Sequence, residues 1–393
     1  MIPSDTLGWG TARNCIREVY EFGLRLKAEI GEDKVFDFSL GNPSVPAPPQ
    51  VKEAILKALE DPTLHDYTVA PGRPSLRKAI SDQLNARYGV HTLPEDIYVT
   101  CGASAAVTCS IKGLLKPGEE AVAFAPHYPE YPVFTRTAGG VFKFCSLRRE
   151  DLQMDAAALE AVLTEKTAVV LVNSPNNPSG AVLNEESLKQ LADCLVKAQA
   201  RFGHPIYIIS DEPYRELVYD LDSVPSPIQF YDNTVVCYSY SKSLSLPGER
   251  IGYYAVSDRA ADREKVFASL AGAARSYGYV NPPSLMQRVI EACVDLKPDI
   301  STYKENRDIL CGILDEVKMP YIHPDGAFYL FIRCPIPDAK EFCEHARKYG
   351  LLLVPSNDFG ITGYARAAYC VKGEMIRRSL PAFRALSEEY GLC

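Results

Sequence analysis

The sequence has 393 residues, more than the ~100–200 typical of one domain, and its 47% hydrophobic and 23% charged residues are those of a folded globular protein rather than a disordered or coiled-coil chain. The formal net charge of −8 disfavours nucleic acid and anionic membranes as partners of the whole surface. Because no apolar run approaches the ~20 residues of a membrane span and the first residues lack the pattern of a signal peptide, we expect a cytoplasmic protein with no membrane partner.

Short β-rich runs alternate with helical patterns from about residue 95 onwards. Strands are predicted at 97–100, 121–125, 168–172, 206–210, 234–238 and 251–256, and helices between or after them at 103–115, 184–200 and 260–274. Several of these strands are apolar almost throughout, which is typical of strands covered on both faces by helices. The pattern predicts an α/β protein whose large domain has three layers, with a mostly parallel sheet between helices.

The pattern changes after about residue 285. Helices are predicted at 284–296, 300–317, 338–349 and 373–390, and strands at 327–333, 351–354 and 365–370. These elements indicate a second, smaller α+β domain, and the Pro-rich stretch at 42–49 indicates a linker. We therefore predict an N-terminal segment (1–49) that packs with the small C-terminal domain (286–393), and a large domain (50–285) between them.

Cysteine and histidine spacing gives no sign of a metal site. None of the twelve cysteines forms a Cys-x-x-Cys pair, and the six histidines are scattered. In a cytoplasmic protein we expect the cysteines to be reduced, and mostly buried as small hydrophobic residues. No metal ion is predicted.

Polar motifs follow two of the predicted strands, where open α/β sheets bind their ligands. The motif Ser-Pro-Asn-Asn-Pro-Ser-Gly at 174–180 is either a surface turn or a loop that directs the Asn177 amide into the crevice. Asp211, at the end of strand 206–210, is either a helix cap or a buried carboxylate that faces a cation. Each pattern alone is weak.

A lysine in a hydroxyl-rich loop is the third such feature. Lys242 lies between serines directly after strand 234–238, and Arg250 follows eight residues later. A lysine in this position is suited to form a Schiff base, and the serines with the arginine are suited to bind phosphate.

The small residues that open the helix after strand 97–100 offer free N–H groups to an anion, although the glycine patterns of nucleotide-binding loops are missing.

Taken together and in this order, the motifs resemble those of the class I and II aminotransferases, which are fold-type I pyridoxal-phosphate enzymes of the aspartate aminotransferase superfamily. The resemblance extends from Phe-Ser-Leu-Gly-Asn-Pro at 38–43 to Arg366, which lies in an apolar context. It implies transfer of an amino group between an L-amino acid and a 2-oxo acid, with pyridoxal 5′-phosphate as cofactor. It also implies a homodimer with active sites at the subunit interface, and it makes 50–285 the cofactor-binding domain.

The resemblance also implies roles for individual residues. Lys242 is similar to the lysine that binds the cofactor as a Schiff base and moves the substrate proton, and Asp211 to the partner of the ring nitrogen. Tyr214 and Asn177 would bind the phenolic oxygen of the ring, and Tyr128 would stack on the ring. The phosphate would be held by Ala103, Ser104, Ser239, Ser241 and Arg250, and by Tyr67 of the neighbouring subunit.

For the substrate α-carboxylate, the resemblance implies Arg366, with help from Asn177 and the backbone of Gly41. The match around Arg366 is loose, and Arg333 is its competitor. Arg275 is either a solvated residue at the end of a helix or a residue that crosses the dimer interface to bind the side-chain carboxylate of aspartate.

Two alternative activities share this fold. A carbon–sulfur β-lyase similar to cystathionine β-lyase starts from the same Cα carbanion, and an aromatic amino acid aminotransferase differs only in the substrate side chain. A pyridine-nucleotide dehydrogenase is disfavoured because the glycine fingerprint is missing. A transcription regulator built on this fold would need an additional DNA-binding domain before the motifs.

Overall fold

The computed structural model describes residues 2–12 and 14–393. Its helices are α1 (Ser4–Thr11), α2 (Cys15–Ile30), α3 (Pro49–Ala58), α4 (Pro74–Tyr88), α5 (Ala103–Leu114), α6 (Tyr131–Thr137), α7 (Ala156–Val162), α8 (Glu185–Phe202), α9 (Tyr240–Ser243), α10 (Arg263–Tyr277), α11 (Ser284–Cys293), α12 (Ser301–Glu316), α13 (Ala339–Lys348), α14 (Gly373–Arg378) and α15 (Leu380–Glu389). Its strands are β1 (Phe36–Asp37), β2 (Ile97–Thr100), β3 (Glu120–Ala125), β4 (Val141–Ser146), β5 (Thr167–Asn173), β6 (Tyr207–Asp211), β7 (Thr234–Ser239), β8 (Gly252–Val256), β9 (Tyr321–Ile322), β10 (Tyr329–Arg333), β11 (Leu351–Leu352), β12 (Val354–Pro355) and β13 (Tyr364–Ala368).

A seven-stranded sheet, ordered β2-β8-β7-β6-β5-β3-β4, forms the centre of the larger part. Strand β8 is antiparallel to both of its neighbours, and the other pairs are parallel. Successive residues of β5 face opposite sides, so Val169 and Leu171 pack in one apolar core while Val170 and Val172 pack in another. Both faces are therefore covered by helices, and the predicted three-layer α/β architecture is confirmed.

The helices that flank the sheet have recognisable ends. Helix α8 begins after Asn184, whose side chain accepts a hydrogen bond from the N–H of Ser187, and it ends at Gly203 in the left-handed region (φ 76°). Helix α5 differs, since no side chain caps its first turn. The N–H groups of that turn stay available at the carboxyl edge of the sheet.

A smaller antiparallel sheet, ordered β12-β13-β10-β9, packs with α12, α13 and α15 around its own apolar core. Strand β1 pairs in parallel with β11 through Phe36 and Leu351. The predicted smaller α+β unit is thus present, while the boundaries at 49/50 and 285/286 stay a prediction. The single helix predicted at 373–390 is wrong in one respect: it breaks at Ser379, because Pro381 in the next turn has no N–H to continue the ladder.

The remaining expectations concern cysteines, metals and membranes. All twelve cysteines are free thiols, and most are buried. Within residues 2–12 and 14–393, no group of three His, Cys, Asp or Glu side chains is placed to hold a metal ion. Over the same residues, no helix has both the length and the apolar character needed to cross a bilayer.

Candidate active site

A pocket of about 280 Å³ opens at the carboxyl ends of the parallel strands β5, β6 and β7, between the seven-stranded and the four-stranded sheet. It is lined by Ile16, Gly41, Ala103, Ser104, Val107, Tyr128, Tyr131, Phe134, Asn173, Asn177, Asp211, Pro213, Tyr214, Ser239, Ser241, Lys242, Pro247, Arg250, Tyr329 and Arg366. Every predicted site residue is in this set except Tyr67 and Arg275. Residues far apart in the sequence thus meet at the carboxyl ends of the strands, where open α/β sheets bind their ligands.

One end of the pocket combines a tight glycine turn with a fixed cation. Gly102 has φ 88°, which lets the chain turn directly from β2 into α5, and a Cβ at this position would lie 2.6 Å from an Arg250 guanidinium nitrogen. That guanidinium is held by hydrogen bonds to the carbonyls of Pro247 (3.0 Å) and Cys101 (3.2 Å). A fixed cation beside an uncapped helix N-terminus is suited to a phosphate.

A buried carboxylate occupies the middle of the pocket. Asp211 ends β6, and its Oδ2 accepts a 2.7 Å hydrogen bond from the Tyr131 hydroxyl. Its Oδ1 is buried without a partner. Burial raises the pKa of Asp211 to about 7, although the Tyr131 hydrogen bond opposes this. The free oxygen of such a carboxyl is suited to a cationic N–H group of a ligand.

The side chain of Lys242 projects into the same pocket. Its Nζ donates a 2.7 Å hydrogen bond to the carbonyl of Gly41 and lies 5.4 Å from the centre of the Phe328 ring. Burial, which is the largest cause, lowers the pKa of Lys242 to about 8. A sizeable fraction of this amine is neutral near pH 8, and the neutral amine is the nucleophilic form.

A buried arginine lies at the other end of the pocket. Arg366, on β13, donates 3.2 Å to Asn177 Oδ1 and also donates to the carbonyl of Ser39. Its Nε is buried without an acceptor. Arg333 does not line the pocket, because its guanidinium donates to the backbone carbonyls of Arg149 (2.8 Å) and Glu150 (3.0 Å). Of the two competitors, Arg366 is therefore the one available to a ligand carboxylate.

Two predicted residues lie outside the pocket of their own chain. Tyr67 is 96% exposed. Arg275 is exposed in the last turn of α10. Both predicted roles place the side chain in the pocket of a second chain, so these roles stay predictions.

Two pocket tyrosines were missed by the sequence analysis. Tyr131 contacts Asp211, and Tyr329, on β10, contacts Tyr214 through a 3.0 Å hydrogen bond between their hydroxyls. Both are almost fully buried. In the sequence both look like ordinary aromatic core residues, and no motif distinguishes them from such residues.

A buried ion cluster lies behind the pocket. Glu212 and Arg215 directly follow the pocket-lining Asp211 and Tyr214, and they are almost fully buried. Arg215 pairs with Glu216 at 2.9 Å and with Glu212 at 3.7 Å. The cluster therefore fixes the backbone that carries two pocket residues.

We predict that Arg215→Met lowers the free energy of unfolding by about 3–5 kcal/mol, because the buried Glu212 loses its cation and Glu216 keeps only its 3.3 Å pair with Arg87. Urea denaturation measures this change. The matched control is Lys78→Met, which removes an exposed ion pair with Asp82 and should cost no more than about 1 kcal/mol. Equal losses of stability for the two variants would contradict the role of Arg215 in fixing the backbone behind the pocket.

Comparison with known proteins agrees with this geometry. The family model for aminotransferase class I and II matches residues 33–383. The chain therefore belongs to this family, and it is an aminotransferase.

Three relatives illustrate the similarity. An aspartate/prephenate aminotransferase of Thermus thermophilus is 29% identical over 354 residues, which cover 87% of this chain and 88% of that protein. The crystal structure of an aminotransferase from Eubacterium rectale is 43% identical and superposes with a TM-score of 0.97 over 100% of this chain and 99% of the other. The structure of Thermus thermophilus aspartate aminotransferase with maleate is 25% identical, with a TM-score of 0.87 over 98% and 99% of the two chains.

Proposed function

We propose that this aminotransferase uses pyridoxal 5′-phosphate and takes aspartate-type amino acids as amino donors. The observation that carries the cofactor assignment is the buried Asp211 carboxyl, whose free Oδ1 lies in one pocket with Lys242 and with the anion-binding turn at Arg250. The cofactor has a ring nitrogen that fits Asp211, an aldehyde that fits Lys242, and a phosphate that fits the turn at Arg250.

When bound, the cofactor supplies an electron sink for negative charge at the substrate Cα. Asp211 would hold the protonated ring nitrogen, because a buried carboxylate is stable only beside a cation. Arg250, Ser239 and Ser241 would bind the phosphate together with the first turn of α5 at Ala103 and Ser104. Tyr128 would cover one face of the ring.

Lys242 would hold the cofactor covalently and, once displaced by the substrate amine, would move a proton from the substrate Cα. Its lowered pKa supports both tasks, since attack and proton removal need the neutral amine. Tyr214 and Asn177 would orient the ring through its phenolic oxygen. Arg366 would bind the substrate α-carboxylate in a two-pronged contact, assisted by Asn177 and the Gly41 backbone.

We further propose that the active form is a cytoplasmic homodimer. The exposed Tyr67 supports this, because a bare aromatic side chain is suited to packing against a second chain. The pocket would then be completed by Tyr67 of the partner subunit at the phosphate end.

An absorbance experiment tests the proposed function. Purified protein with pyridoxal 5′-phosphate should show a visible band that disappears when aspartate is added and returns with a 2-oxo acid, without release of ammonia. Release of pyruvate, ammonia and thiol from a cysteine-type substrate would instead identify a β-lyase.

Substitution of Arg275 tests which class of substrate the enzyme takes. If Arg275 of the partner subunit binds the side-chain carboxylate, Arg275→Ala should lower kcat/KM for aspartate by about 30- to 4,000-fold, because a desolvated charge pair loses about 2–5 kcal/mol. Alanine and phenylalanine should be almost unaffected. The control is Lys265→Ala, an exposed cation on the same helix. Equal small losses for all three substrates would favour a broad-specificity or aromatic aminotransferase.

A further inference from the structure

Tyr329 lines the same pocket as Tyr214 and Arg366. Its hydroxyl is 3.0 Å from that of Tyr214, and the Arg366 guanidinium lies 4.8 Å from the centre of its ring. Its side chain reaches this point because residue 41 is glycine: a Cβ there would overlap the Tyr329 hydroxyl. Tyr329 therefore contacts both Tyr214 and the arginine at one end of the pocket.

The protons of the two phenols limit what the pair can do. Each hydroxyl has one proton, and one of the two lies between the oxygens. If Tyr214 donated to Tyr329, no proton of Tyr214 would be left for a ligand. If Tyr329 donates, the Tyr214 proton is free to point into the pocket, and donation to its oxygen makes that proton a stronger donor.

The surroundings favour donation from Tyr329 to Tyr214 when the pocket holds an acceptor for the Tyr214 proton. A guanidinium beside a phenol ring favours loss of the phenolic proton, and Arg366 opposes the effect of burial on the pKa of Tyr329, which stands at about 12. Burial raises the pKa of Tyr214 well above its usual value, and the contact with Tyr329 adds to this rise. Both phenols thus stay protonated at neutral pH, with Tyr329 next to the cation.

We propose that Tyr329 is a positioning residue that donates its proton to the Tyr214 hydroxyl and so directs the Tyr214 proton to the ligand. The inference rests on the proposed function, in which the ligand atom is the phenolic oxygen of pyridoxal 5′-phosphate. Removing the Tyr329 hydroxyl should weaken Tyr214 as a donor while leaving its side chain in place.

A double-mutant cycle read by spectroscopy tests this role. The probe is the pH midpoint of the visible absorption band of protein-bound pyridoxal 5′-phosphate, measured for wild type, Tyr329→Phe, Tyr214→Phe and the double variant. A weaker donor lets the bound chromophore keep its proton to higher pH. In Tyr329→Phe we expect the acid dissociation constant to fall by about 3- to 10-fold, the effect of one hydrogen bond. In the Tyr214→Phe background the same change should be less than about twofold.

A matched control uses Tyr369→Phe, which removes another buried phenol from the small unit, one that does not line the pocket. It should leave the midpoint unchanged. Any of three results would overturn the positioning role of Tyr329. These are no shift of the midpoint in Tyr329→Phe, an equal shift in Tyr369→Phe, and equal shifts on removing the Tyr329 hydroxyl from wild type and from Tyr214→Phe. A wild-type protein that gives no visible band with the cofactor would instead overturn the proposed function, and the inference with it.

Discussion

Lys242→Ala is expected to give a folded protein that binds pyridoxal 5′-phosphate but completes no multiple-turnover transamination. The methyl group cannot hold the cofactor covalently and cannot move the substrate proton. Binding should persist, because Arg250 and the first turn of α5 do not depend on the lysine. Stopped-flow turnover with aspartate, and cofactor retention on gel filtration, measure the two properties separately.

The control is Lys197→Ala, an exposed lysine on α8, which should keep full turnover. Turnover of Lys242→Ala near the wild-type rate would refute the assignment. The wild-type protein adds a pH signature: since the pKa of Lys242 is lowered to about 8, the rate of covalent cofactor capture should rise with pH and level off above about pH 8.

The residues that the sequence located best are those at the ends of parallel strands. Asp211 follows an apolar run directly, and Lys242 lies in the loop that follows another. Their side chains therefore had to meet at one edge of the sheet once the strands were parallel. The apolar context of Arg366 singled it out in the sequence, but only the family resemblance connected it with this site, because β13 belongs to the small sheet and no spacing rule connects it with the large one. Its burial beside Asn177 gives it the physical support that the sequence lacked.

The features that were missed have physical causes. Strand β4 has no period-two pattern, because Val141 and Phe144 are both exposed at the edge of the sheet while Cys145 is buried. The antiparallel direction of β8 is not visible in an apolar run of any length. Tyr329 was missed because a buried tyrosine in a sequence resembles any aromatic core residue, and only its neighbours in space distinguish it.

Asp211→Asn should show opposite effects on stability and on activity. In the cofactor-free protein, burial raises the pKa of this carboxyl from 3.8 to about 7. The unfolded chain then releases the proton at lower pH than the folded chain, so Asp211 destabilises the fold increasingly between about pH 4 and pH 7, and fully above pH 7. Without cofactor, Asp211→Asn should therefore have a higher Tm than wild type at pH 8, and a smaller advantage at pH 5.

The same substitution should lower kcat/KM by about 10²- to 10⁴-fold, since loss of one member of a buried charge pair costs about 3–5 kcal/mol. Tyr214→Phe removes one neutral hydrogen bond and should cost only about 2- to 13-fold. Steady-state kinetics at saturating cofactor compare the two variants, and a larger loss for Tyr214→Phe would reverse the assigned ranking. A variant that is more stable without cofactor yet nearly inactive with it would identify Asp211 as a charge kept for the ligand, because a carboxyl that served only packing would lose stability when replaced.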